Sequence, residues 1–235
     1  MSDTDLRNAI IATCRAMNAS GLNTGTSGNV SARTDTGFLV TPSGIPYDDL
    51  SPDQIVAMDL DGAYEGDWLP SSEWRMHLDI YRARPEAGAI VHVHSSHAAS
   101  LSCLRLDIPP FHYMIAVAGG ATLRCADYAT FGTAELSHNM IKALEERSAC
   151  LLANHGQIAF GATLSKALWL AGEVEELCHQ YFLATQMAAA TDKPVVILDD
   201  AEMTRVMKKF RTYGKQPKDL APGEHAAFET PVKKA

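Results

Sequence analysis

The chain has no apolar run near the roughly 20 residues that a membrane-spanning helix needs. Its first residues, MSDTDLRNAI, lack the basic start and apolar stretch of a secretory signal. It also lacks C-x-x-C pairs: Cys14, Cys103, Cys125, Cys150 and Cys178 are odd in number and widely spaced. That spacing argues against a disulfide framework and against a cysteine zinc site, and it favours reduced thiols in a cytoplasmic protein. Positive charge is scarce. With 20 basic and 28 acidic residues the net charge is -8, which counts against nucleic acid as a partner. An anionic small molecule stays possible, because backbone N–H groups at loops and helix starts can supply a local positive field. Neither a P-loop nor a G-x-G-x-x-G run occurs, so no nucleotide is indicated. Repeats and low-complexity linkers are absent as well. What remains is ordinary globular composition, 46% hydrophobic and 20% charged over 235 residues. That length suits one large domain or two small ones.

Strand and helix patterns interleave along the chain, which predicts one compact α/β unit. An amphipathic helix is predicted from Thr4, with Asp3 or Thr4 as its cap and Gly21 at its end. Short strands are expected at 30–33, 37–42 and 54–60. A helix over 70–85 has Ser71 or Ser72 as its candidate cap and Pro85 beyond its end. A strand over 88–95 leads into a helical stretch, SSHAASLSCL. Residues 121–128 read as extended, 133–147 as a helix capped by Thr133, and ACLLANHGQIAFG as strand, turn, strand. Two more helices cover 163–190 and 199–214. The residues after Gly214 are polar, with three prolines, and are expected to be loose.

Three of the nine histidines lie within IVHVHSSH, residues 90–97. In a strand, residues two apart share a face and stand about 6.5–7 Å apart. His92 and His94 therefore project together, and two desolvated imidazoles side by side are costly without a purpose. They can converge on one cation. A catalytic zinc commonly takes three protein ligands and leaves one position for water or substrate. His155 is the best third candidate, because LLANHGQ is an apolar strand that stops at Asn-His-Gly. His77, His112, His138 and His179 are weaker candidates, and the direction of His97 is open. Glu73 follows PSS at a helix start, where an acid either favours the helix N-terminus or does proton chemistry. Three segments, NTGTSGN (23–29), TPSGIP (41–46) and PSSE (70–73), carry the small residues and hydroxyls that hold phosphate.

Six segments together resemble the zinc-dependent class II aldolase/adducin family, and within it the branch that acts on L-fuculose 1-phosphate. They are TGTSGNVSAR, LVTPSGIPYDDL, PSSEWRMHLDIYRARPEAGAIVHVHSSHAA, YATFGTAEL, LLANHGQIAFG and KFRTYG, spanning residues 5–215. The resemblance implies a single α/β domain over 1–215, with a central, mainly antiparallel sheet flanked by helices. Residues 216–235 are then a polar, flexible tail. It implies His92, His94 and His155 as Zn2+ ligands and Glu73 as the acid/base residue. It implies that Thr26, Gly28, Asn29, Ser43, Gly44, Ser71 and Ser72 bind substrate phosphate. Tyr113 is expected to protonate the aldehyde oxygen from a neighbouring subunit, and Phe131 and Tyr213 to shape the aldehyde side. A homotetramer with active sites at subunit interfaces follows from the same likeness.

The implied reaction is reversible cleavage of a ketose 1-phosphate to dihydroxyacetone phosphate and an aldehyde. L-fuculose 1-phosphate, a 5-deoxypentulose 1-phosphate and 5-methylthioribulose 1-phosphate are the candidate substrates. Relatives in the family also epimerise, decarboxylate or dehydrate sugar phosphates, and Glu73 stands where the epimerases tend to carry Asp. A non-catalytic adducin-like interaction module is a reading of another class, and the intact histidine set counts against it. A cupin also uses H-x-H, but cupins are nearly all β and this chain reads as rich in helix.

Overall fold

The computed structural model describes residues 2–227. Eight strands form one sheet in the order β4-β3-β2-β1-β5-β8-β7-β6. They are β1 (Asn29–Arg33), β2 (Gly37–Val40), β3 (Val56–Asp59), β4 (Tyr64–Glu65), β5 (Ala89–Val93), β6 (Cys125–Ala126), β7 (Ala149–Leu152) and β8 (Gly156–Gly161). Only the β6–β7 pair is parallel; the other neighbours run antiparallel. This is the expected α/β architecture with a mainly antiparallel sheet.

Helices cover both faces, which rules out the cupin reading. The helices α1 (Asp3–Ala19), α3 (Ser96–Ser102), α5 (Leu164–Thr191) and α6 (Asp200–Phe210) pack on one side, and α2 (Trp74–Ala83) and α4 (Ala134–Ala143) on the other. Strand alternation divides the cores. Ala89, Val91 and Val93 of β5 enter the larger core, while Ile90 enters the core under α2 and α4. Every residue of β5 is buried, as expected of a strand covered on both faces. Burying one side chain the size of Ile90 stabilises the fold by roughly 1.5–3 kcal/mol. No described helix is long and apolar enough to cross a membrane.

Caps differ from expectation at two helices. Ser2, not Asp3 or Thr4, caps α1: its hydroxyl accepts from the Asp5 amide at 3.2 Å, and Asp5 answers on the Ser2 amide at 3.1 Å. Asp3 and Thr4 already belong to the first turn, so they cannot serve. Neither Ser71 nor Ser72 caps α2; the cap position is Glu73, which makes no side-chain capping bond. Its carboxylate turns inward instead. Thr133 caps α4 as expected, accepting from the Leu136 amide at 3.2 Å.

Three local elements escape periodicity. The expected strand over 121–128 contracts to the two residues of β6, β4 is equally short, and residues Tyr113–Ala118 form a 3-10 helix. In the expected tail, residues Pro217–Asp219 make a 3-10 turn and Lys215 pairs with Glu224 at 2.7 Å. Residues 228–235 of that tail lie outside the described residues.

Candidate active site

His92 and His94 continue the row begun by Ile90, on the α2 side of β5, as alternation requires. The turn between β7 and β8 delivers His155 to the same spot. Asn154 in that turn has φ +53, a conformation Asn tolerates better than most side chains. Gly156 follows, and a Cβ there would sit 2.4 Å from the Val93 carbonyl oxygen and 3.2 Å from the His94 Cα. Only glycine lets the hairpin close this tightly on β5.

The three imidazoles stand nearly perpendicular to one another, with centroids 4.6–4.9 Å apart. His92 Nε2 lies 3.0 Å from His94 Nε2 and 3.1 Å from Glu73 Oε2, and His155 Nε2 lies 3.2 Å from Glu73 Oε1. One ligand atom from each of Glu73, His92, His94 and His155 falls within 4.8 Å of all the others. His97, by contrast, points away. Its Nδ1 bonds Glu175 at 2.8 Å and its ring stacks on His179 at 4.2 Å. His77 is fully buried but on another part of α2.

The donor set fits a divalent metal. The His92 Nδ1–H donates to the Gln157 carbonyl at 2.8 Å, which leaves the Nε2 lone pair facing the cluster. Glu73 Oε1 is buried and accepts no hydrogen bond. Several lone pairs thus converge on one point with too few protons to satisfy them, and a cation resolves that. The electrostatics agree. Burial alone raises the Glu73 carboxyl, but the neighbouring His92 and His155 outweigh it and hold the group well below its ordinary value. Burial, then the neighbouring His92 and His155, lowers His94 to about 4. Burial also opposes charge on His92, yet Glu73 beside it tips the balance upward.

A cavity of about 370 Å³ opens from this cluster. Thr26, Gly28, Asn29, Ser43, Gly44, Ser71 and Ser72 all line it, together with Glu73, His94, His155 and Phe131. The three small-residue loops therefore meet at one place, beside the candidate metal ligands. Gly28 permits this: a Cβ there would lie 2.6 Å from the His92 carbonyl oxygen. Sequence reasoning missed Ser27, Tyr128 and Asn154, which share the lining. It also missed the role of Asn23, whose side-chain oxygen accepts from the His94 amide at 3.3 Å. Tyr113 and Tyr213 do not join these residues within one chain. They line a separate groove against α6, and both are at least half exposed.

The description "Class II Aldolase and Adducin N-terminal domain" matches residues 8–182, well over half the chain. The chain belongs to the class II aldolase/adducin family. It is 50% identical over 209 residues to a 5-methylthioribulose-1-phosphate/5-deoxyribulose-1-phosphate aldolase of Rhodospirillum rubrum, covering 89% of this chain and 92% of that protein. It is 51% identical over 214 residues to the L-fuculose phosphate aldolase of Escherichia coli K12, covering 91% and 98%. Among solved structures, an L-fuculose 1-phosphate aldolase superposes with a TM-score of 0.85 at 41% identity, over 90% of this chain and 98% of that one. With named aldolases matching at 50–51% identity over about nine-tenths of the chain, it is an enzyme of the metal-dependent aldehyde-lyase kind.

Proposed function

We propose that this class II aldolase cleaves a ketose 1-phosphate between C3 and C4, releasing dihydroxyacetone phosphate and an aldehyde. The observation that carries the reading is one cavity with two chemistries. Hydroxyl- and glycine-rich loops line one wall, and Glu73 with the histidine cluster lines the other.

His92, His94 and His155 would hold Zn2+, which, when bound, polarises the substrate carbonyl and stabilises negative charge on the dihydroxyacetone half. Glu73 takes and returns the proton at C3 of that half. Its buried carboxylate, with Oε1 accepting no hydrogen bond and facing His155 Nε2 at 3.2 Å, is suited to accept one. Thr26, Gly28, Asn29, Ser43, Gly44, Ser71 and Ser72 orient the phosphate through hydroxyls and amides. Tyr113 serves the site of a neighbouring copy and donates its proton to the aldehyde oxygen. Its exposure, and its distance in lining from the cavity of its own chain, support that reading. A homotetramer supplies such a neighbour. Residues 1–215 form the catalytic domain, and the residues that follow are a polar extension of it. Five free cysteines favour a cytoplasmic setting.

The aldehyde half separates the candidates. Relatives acting on L-fuculose phosphate and on 5-methylthioribulose or 5-deoxyribulose 1-phosphate match at 51% and 50% identity, so identity alone does not choose between them. Phe131 and Tyr128 at the cavity lining favour an apolar aldehyde tail, as in a 5-deoxy or 5-methylthio sugar. The test is a coupled assay for dihydroxyacetone phosphate across a panel of ketose 1-phosphates, with metal analysis of the same protein. Release from the deoxy and methylthio sugars, with about one zinc per chain, is expected. No release from any member of the panel, or an epimerised product instead, overturns the proposal.

A further inference from the structure

Behind Glu73 runs a buried polar seam. On α2, Glu73, His77 and Tyr81 recur every four residues, and on β1, Asn29, Ser31 and Arg33 recur every two. Four helical residues rise about 6 Å and two strand residues about 6.6 Å, so the two rows meet one to one. Asn29 Nδ2 donates to Glu73 Oε2 at 3.0 Å. Asn29 Oδ1 faces His77 Nε2 at 2.5 Å, His77 Nδ1 faces the Ser31 hydroxyl at 2.6 Å, and Ser31 meets the Tyr81 hydroxyl at 2.8 Å. Asn29, Ser31, His77 and Tyr81 are all buried.

The chemistry of the chain leaves one direction. A carboxylate only accepts, so Asn29 must turn its NH2 toward Glu73. Its oxygen then faces His77, whose Nε2 must carry the proton. His77 Nδ1 must accept from Ser31, and Ser31 from Tyr81. One Glu73 oxygen is thereby occupied, while Oε1 has no hydrogen bond and faces only the candidate metal ligand His155, whose Nε2 is 3.2 Å away. We propose that His77 is a positioning residue: acting through Asn29, it locks Glu73 Oε2 and leaves Oε1 as the oxygen that exchanges the substrate proton. This rests on the acid/base reading of Glu73.

Two variants of similar polarity separate positioning from mere packing. In His77→Gln the amide nitrogen reaches the place of ring Nε2 and can still donate to Asn29. In His77→Asn it reaches only the place of Nδ1. With zinc-loaded protein and dihydroxyacetone phosphate, His77→Gln should keep proton exchange within about threefold. His77→Asn should lose about 10–100-fold in kcat, the range for partners that orient a site residue, with KM and zinc content unchanged. Each variant leaves one polar group of the seam unpaired, so a merely structural role would lower both alike, and that result overturns the proposal. In a Glu73→Gln background, adding His77→Asn should cost nothing further; an additive loss also overturns it. In histidine 15N spectra of the metal-free protein, His77 should be the Nε2–H tautomer, and an Nδ1–H signal contradicts the seam. If Glu73→Gln itself keeps exchange, the Glu73 reading fails and this one with it. If Glu73→Gln loses exchange while His77→Asn keeps it, only the positioning role fails.

Discussion

The two ends of the candidate site are built in opposite ways. At the metal end, His92 and Glu73 are almost wholly buried and each is held by another buried group, the Gln157 carbonyl and Asn29. At the proposed aldehyde end, Phe131 is 64% exposed and Tyr213 70%, and Tyr113 lines a separate groove. One end is finished within a single chain; the other presents exposed aromatic surface. A fixed reacting half and an open variable half suit a family in which similar chains act on different sugar phosphates.

The contrast can be broken at its strongest point. His155→Ala, or chelation, should remove the metal and lower cleavage about a thousandfold, since a Lewis acid of this kind is worth several kcal/mol; metal content and dihydroxyacetone phosphate release are read together. Glu73→Gln should keep the metal and cost about 10²–10⁴-fold in proton exchange on dihydroxyacetone phosphate. Ser71→Ala, in the phosphate wall, should raise KM about tenfold with kcat nearly unchanged, as expected for one lost hydrogen bond to a charged group. At the open end, Phe131→Ala should leave proton exchange on dihydroxyacetone phosphate intact. Its ratio of kcat/KM between methylthio and hydroxyl-bearing sugars should shift only about 3–10-fold, the scale of apolar pocket contacts.

An effect on stability alone concerns the frame beside the histidines. Glu175 of α5 accepts the His97 and Ala98 amides at 2.9 Å each and so satisfies the start of α3, directly after β5. Burial pushes its carboxyl up, but a Ser95 hydroxyl and those two amides outweigh it and hold the group below its usual 4.5. The folded value is the lower one, so the stabilisation is present above the unfolded value and fades as pH falls through the folded one. Glu175→Gln should therefore lower thermal stability at pH 7 by roughly 2 kcal/mol, and the gap to wild type should narrow as pH falls below the usual 4.5. An equal gap at pH 7 and at the lower pH contradicts this.

Much of this is legible in the residues. Alternation in IVHVHS alone puts His92 and His94 on one face, and Asn-His-Gly marks a tight turn that carries His155. Glu73 is harder, because an acid at a helix start has an ordinary role; only its inward turn, away from capping, distinguishes the two. The seam through Asn29, His77 and Ser31 is written as two periodicities in separate segments. Joining them requires knowing that α2 packs over β1, which no local pattern states. The two-residue strands β4 and β6 are too short to show any period at all.

Those short strands sit at the two edges of the sheet, and β5 lies inside it between β1 and β8. Fraying begins where few contacts cross, so amide exchange should be fastest at Tyr64–Glu65 and Cys125–Ala126 and slowest along Ala89–Val93. Opening at the β4 rim should leave the spacing of His92 and His94 untouched, because β5 lies in the middle of the sheet. His155 stands nearer the other rim, since the Ala153 amide of its turn donates to the Ala126 carbonyl of β6 at 3.1 Å, so a cation held by all three should be released through that side first.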